Sequence, residues 1–236
     1  MSVNAIDESQ RNAARVVGFA YLFAMAVSIF AETYIGGRLI APGDAGETAR
    51  NIIAHQLLFR VGIVSSLIIV VSDVALITAT FVILRRIDEN LAMYAAFLRL
   101  MQTAVHAVAT LNYLDVLRLL SGAGYLQPLG TEQVHALARL SVGSHAAGLG
   151  VGFVYLGLGS ALFAYLWFKS RYVPRGLAGL GVFASLLLGV GSLAIILFPG
   201  LPIFPFHMIP MFFFEVGLGL LLLFRGLRTH PLPEPG

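Results

Sequence analysis

Six apolar stretches, each long enough to cross a bilayer as a helix, recur along nearly the whole chain, at about residues 14–35, 55–84, 91–120, 142–168, 176–198 and 206–224. A hydrocarbon core needs roughly 20 apolar residues per spanning helix. Within that core every backbone polar group must be satisfied inside its own segment, which a helix does. The chain is therefore expected to be all-α, a polytopic transmembrane bundle of six spans forming one membrane domain over residues 1–236. Composition agrees, with 58% of residues hydrophobic and 11% charged, against roughly 45–50% and 25% in soluble domains.

Orientation follows from the Lys and Arg bias between the two sides. With the N-terminus inside, one side holds nine, Arg11, Arg15, Arg85, Arg86, Lys169, Arg171, Arg175, Arg225 and Arg228, and the other five, Arg38, Arg50, Arg60, Arg118 and Arg139. Both termini are thus expected in the cytoplasm, with the chain in the cell (inner) membrane. The stretch before the first span contains Asp7 and Glu8 and lacks a signal-peptide pattern, so that span should remain as an uncleaved anchor. In the longer outer loops, Pro42-Gly43-Asp44 marks a turn before a short helix through Glu47 and Arg50. Thr131-Glu132-Gln133 starts an amphipathic turn or two lying on the surface before the fourth span. Pro199 to Pro205 break the chain between spans five and six.

Several classes of chemistry are excluded. The chain has no cysteine, so it has no disulfide and no Cys-held iron–sulfur centre. Its lysine, Lys169, sits at a span end, so no retinal Schiff base forms in mid-span. Phosphate-binding glycine loops are absent. The net charge of +3 sits at span ends, where topology accounts for it, and nucleic acid is not a partner. The expected partners are the lipid bilayer and a small-molecule ligand; no cofactor and no oligomeric state can be read.

The informative residues are the ionisable ones inside the spans, because a charge in hydrocarbon costs at least a few kcal/mol and marks a bundle interior or a cavity. At a rise of about 1.5 Å per residue from the cytoplasmic loops, Arg99 and Glu215 lie at ~15 Å and Asp73 at ~18 Å, near the midplane. Two carboxylates and one guanidinium at one depth make a charge cluster. The uncompensated carboxylate is a seat for a proton or a cation; the blander alternative is an ion pair that fixes helix order. A second layer lies at ~25 Å for Glu32 and His106 and ~27 Å for His207, with Arg60, Asp115 and His145 nearer the outer surface. Glu32, His106 and His207 are the ligand types of a zinc-like site and equally of a proton path, although no local metal motif accompanies them.

Helical spacing adds stripes. Arg99, Gln102, His106, Thr110 and Tyr113 share one face of the third span, Gly18, Tyr21, Met25, Ser28 and Glu32 one face of the first, and Ser66, Asp73 and Thr80 one face of the second. Facing stripes would line a polar cavity. Gly148, Gly152 and Gly159 form a small-residue ridge on the fourth span, suited to an internal neighbour or a partner helix. His145 and Ser160 cannot act as base and nucleophile, since fifteen residues of one helix separate them by ~22 Å.

Glu32 after an apolar helix, Pro42-Gly43-Asp44-Ala45 leading to Asn51-Ile52, Leu58-Phe59-Arg60, Asp73-Val74-Ala75-Leu76, Phe97-Leu98-Arg99-Leu100 and the stretch from His145 to Gly152 together resemble the bacterial domain-of-unknown-function family 4386. The resemblance runs from about Arg11 to Leu227. It implies a multi-helix bacterial membrane protein and brings no activity with it. Three readings stand at this level: a protein with a polar intramembrane cavity that binds or moves a small solute or proton; a membrane-embedded, metal-dependent enzyme acting on a lipid-like substrate; and a structural or regulatory membrane subunit.

Overall fold

The computed structural model describes residues 6–228. Among them the chain is helical throughout, with no strand. Helix α1 is Glu8–Leu39, α2 Ala45–Ala54, α3 Gln56–Leu84, α4 Glu89–Leu119, α5 Thr131–Ser170, α6 Arg175–Leu197 and α7 Ile209–Phe224, the last led in by a 3-10 turn, Phe206–Met208. Six segments, all but α2 and with that turn counted into the last, are long and apolar enough to cross a membrane. Large apolar side chains stand exposed along them, among them Val71, Phe97, Val108, Leu197 and Phe224, while Asp73, Arg99, Gln102 and Ser160 are buried. That distribution suits a lipid solvent: a continuous apolar exterior of this extent would not stay dispersed in water.

Side chains set the helix starts. Asp7 accepts from the Gln10 N–H at 2.8 Å, Asp44 from the Glu47 N–H at 2.7 Å and Asp88 from the Leu91 N–H at 3.1 Å, each satisfying one of the four N–H groups a helix leaves open at its start. The short helix expected after Pro42 is α2, capped by Asp44. Two boundaries differ from expectation. The first helix does not stop at residue 35: residues Phe30–Gly36 widen into a π-helical turn and the chain stays helical to Leu39. The surface turn expected after Thr131 is not a separate element but the opening of a 40-residue α5, because no proline interrupts it and Ala138 and Val142 are buried on the core side.

Contacts divide the described chain into two compact units, each assembled from separate stretches, so no single cut in the sequence parts them. The first comprises residues up to Phe23, Ser72–Gln102 and Phe153 onward. Trp167, Phe214, Ile83, Leu84, Leu166 and Leu218 fill its core. Its helices approach closely at glycines: a Cβ on Gly18 would lie 2.6 Å from the Leu223 nitrogen, and one on Gly157 2.4 Å from that of Gly189. Without a hydrophobic drive between helices in lipid, such small-residue contacts supply the packing. The second unit, Ala24–Val71 with Thr103–Gly152, packs Ile35, Leu39, Ile52, Phe59, Ile63 and Val116.

Candidate functional site

In the first unit the buried charges do meet. Arg99, 2% exposed, donates from one terminal nitrogen to Asp73 Oδ1 at 3.4 Å and from the other to Ser160 Oγ at 3.1 Å. The second Asp73 oxygen accepts from Gln102 Nε2 at 3.0 Å. Arg99 and Gln102 are three apart on α4 and so share a face, which is why one carboxylate on α3 can bridge both. At 3.4 Å the arginine contact is longer than the usual 2.7–2.9 Å of a charge-assisted bond, and the glutamine bond at 3.0 Å holds the carboxylate beside it. Partly buried Glu215 on α7 lies within electrostatic range of both Arg99 and Asp73, and the Tyr21 phenol on α1 feels all three. Gly159, one residue before Ser160, makes room for this arrangement: a Cβ there would stand 2.9 Å from Arg99 Cγ and 3.0 Å from the Ala95 carbonyl oxygen.

The second unit holds a pocket of about 30 Å³ lined by Glu32, Tyr113, His145, Ser66 and Phe59, among others. Glu32 sits in the π-helical turn of α1, a feature that often accompanies functional positions. Buried His145 places Nδ1 3.0 Å from the Ala109 carbonyl oxygen and stacks on Tyr113 with 3.7 Å between centroids. Phe59 lies tilted against Tyr113 at 5.1 Å.

The other expected site residues have different fates. Asp115 pairs with Arg118, one turn along its own helix, at 3.1 Å on the exposed surface, and Arg60 is exposed; neither lines the pocket. His106 places Nε2 3.4 Å from the Leu149 carbonyl oxygen, over Gly152, where a Cβ would overlap the ring. Buried His207 places Nδ1 3.2 Å from the Ile203 carbonyl oxygen and packs on Gly191. All three intramembrane histidines are thus engaged by backbone carbonyls. The expected metal centre is corrected accordingly: among the described residues no three His, Asp or Glu side chains are grouped to hold a metal ion, and Glu32, His106 and His207 form no ligand set. The Gly148 ridge faces inward, against Ala109, rather than offering itself to a partner helix.

Residues 16–226 match the model of a protein family described as a domain of unknown function, DUF4386, which leaves out only the two ends of the chain. The chain belongs to the DUF4386 family. No curated protein and no solved structure matches it. For a DUF4386 protein the family carries no activity, and chemistry must be argued from the two polar sites. Ser160 and Tyr113 were under-read in the sequence. Both stand at helical spacing from residues already singled out, Tyr113 on the Arg99 stripe and Ser160 beside the glycine ridge, but only packing reveals that Ser160 faces Arg99 and Tyr113 faces His145.

Proposed function

We propose that this protein is a multi-pass protein of the bacterial inner membrane, with both termini in the cytoplasm, that binds a proton or small cationic solute at its buried charge cluster and serves its movement across the bilayer. The observation that carries the reading is the imbalance in the first unit, where Asp73 and Glu215 have one guanidinium, Arg99, between them. One cation compensates one carboxylate. The remaining charge must be neutralised, because an isolated ionised group in a low-dielectric interior is prohibitively costly, and a proton or a small cation does this. Asp73 is anchored by Gln102 and Arg99, which leaves Glu215 as the exchanging group.

Infrared difference spectra of the purified protein in lipid, recorded across a pH titration, test this directly. A carboxylic-acid carbonyl band that titrates in the natural protein and vanishes in Glu215→Gln is expected, together with loss of proton uptake by proteoliposomes carrying that variant. An unchanged band and unchanged uptake would overturn the proposal. A second reading, an ion pair that only fixes helix pairing, is favoured by the hydrogen bonds that Gln102 and Ser160 add to Asp73 and Arg99.

A further inference from the structure

The pocket of the second unit sets a carboxylate, an imidazole and the hydroxyls of Ser66 and Tyr113 among aromatic and aliphatic side chains. The Glu32 carboxylate lines it and takes no hydrogen bond or ion pair among the described residues. The Ala109 carbonyl oxygen can only accept, so the Nδ1 of His145, 3.0 Å away, must carry the hydrogen. In the neutral ring Nε2 is then a bare acceptor. Ser66 spends its hydroxyl hydrogen on the Gly62 carbonyl oxygen at 3.2 Å, so toward the pocket its oxygen has only lone pairs to give. Phe59 lies tilted against Tyr113 with 5.1 Å between centroids and Tyr113 stacks on His145, so the three rings form a packed aromatic wall on one side of the space. The space is about 30 Å³, far below the roughly 300–1,000 Å³ of pockets that take drug-sized ligands.

A negatively charged, acceptor-lined, aromatic-walled space of that size calls for a compact cation rich in N–H donors. We propose that the Glu32, Tyr113 and His145 pocket is a binding site for ammonium or the head of a small primary ammonium compound. Glu32 supplies the counter-charge, His145 Nε2 and Ser66 Oγ accept N–H bonds, and the rings of Phe59 and Tyr113 exclude larger or strongly hydrated ions. This site is independent of the charge cluster, since none of its residues belongs to that unit, and it stands or falls apart from the proposed function above.

The test is thermal unfolding of the detergent-purified protein titrated with ammonium chloride, and in parallel with potassium chloride and tetramethylammonium chloride at equal ionic strength. Potassium matches ammonium in charge and nearly in size but has no N–H donor, and tetramethylammonium is bulkier and has none either. A saturable rise in melting temperature with ammonium alone is expected. Its half-saturation should move at least about tenfold upward in Glu32→Gln and remain unchanged in Asp7→Asn, which removes a carboxylate belonging to neither polar site. Equal responses to the three salts, or an ammonium response that survives Glu32→Gln unchanged, would overturn the assignment. Should Glu32→Gln not fold, Ser66→Val, which removes the hydroxyl acceptor, carries the test: its half-saturation for ammonium should rise, and an unchanged value would overturn the assignment.

Discussion

Replacing Arg99 by leucine tests whether the buried cluster is held by charge. At 3.4 Å, one guanidinium and one carboxylate attract by about 5 kcal/mol at an effective dielectric of about 20, and desolvation takes back much of this. Removing the cation alone leaves Asp73, 9% exposed, without compensation, a change that typically costs about 3–5 kcal/mol. Asp73→Leu should cost less, because Arg99 keeps its bond to Ser160 and its proximity to Glu215. In the double variant both buried charges of the pair disappear together. Its loss should fall below that of Arg99→Leu by at least about 1 kcal/mol, a coupling within the range known for contacting residues. The readout is built in: the chain has one tryptophan, Trp167, 1% exposed in the same unit, whose fluorescence follows unfolding of the bicelle-held protein by dodecyl sulfate. Losses that simply add would refute the claim that Asp73 and Arg99 act as a pair.

Gly159→Val should destabilise by about 1–3 kcal/mol in the same assay, since its side chain meets the Ala95 carbonyl oxygen at 3.0 Å and backbone cannot give way as a side chain can; a neutral result would mean that α4 and α5 are not packed there. Gly152→Leu should displace the His106 ring, which a Cβ would already overlap, and lower the melting temperature by several degrees while leaving ammonium binding at His145 intact. Asp7 is held below its ordinary value of 3.8 by the Gln10 backbone N–H and by Arg86. Because the folded value is the lower one, its contribution is present above about pH 4 and is lost as pH falls through the folded value; the melting-temperature gap between the natural protein and Asp7→Asn should therefore close on acidification, and a gap that widens would contradict it. The cysteine-free chain suits topology mapping: single cysteines at Ser170 and Ile87 should resist a membrane-impermeant thiol reagent in intact cells, while cysteines at Gly43 and Gly122 react, and the reverse pattern would invert the orientation proposed.

Six spans were legible in the sequence because each helix satisfies its own backbone and must be apolar over a fixed length, both local properties. The cluster was legible for a related reason. Asp73, Arg99 and Glu215 are costly enough in hydrocarbon to announce themselves one by one, and helical rise alone puts them at one depth. Which carboxylate the arginine touches was not legible, since depth says nothing about rotation: Asp73 takes the bond because α3 presents it opposite the Arg99 and Gln102 face of α4. Depth also grouped Glu32, His106 and His207, where packing instead gave each imidazole its own backbone carbonyl.

Sequence by itself determined the helical class, the number of spans and the interior stripe of α4, which follow from composition and period along one chain, and the family, which follows from the motifs it resembles. Only the tertiary structure decided that Ser160 completes the Arg99 site, that the Gly148 ridge faces Ala109, and that a π-helical turn sets Glu32 in one pocket with Tyr113 and His145. Those depend on which faces of different helices meet. That choice is made by shape, by where a glycine lets two backbones approach, and no single helix carries it.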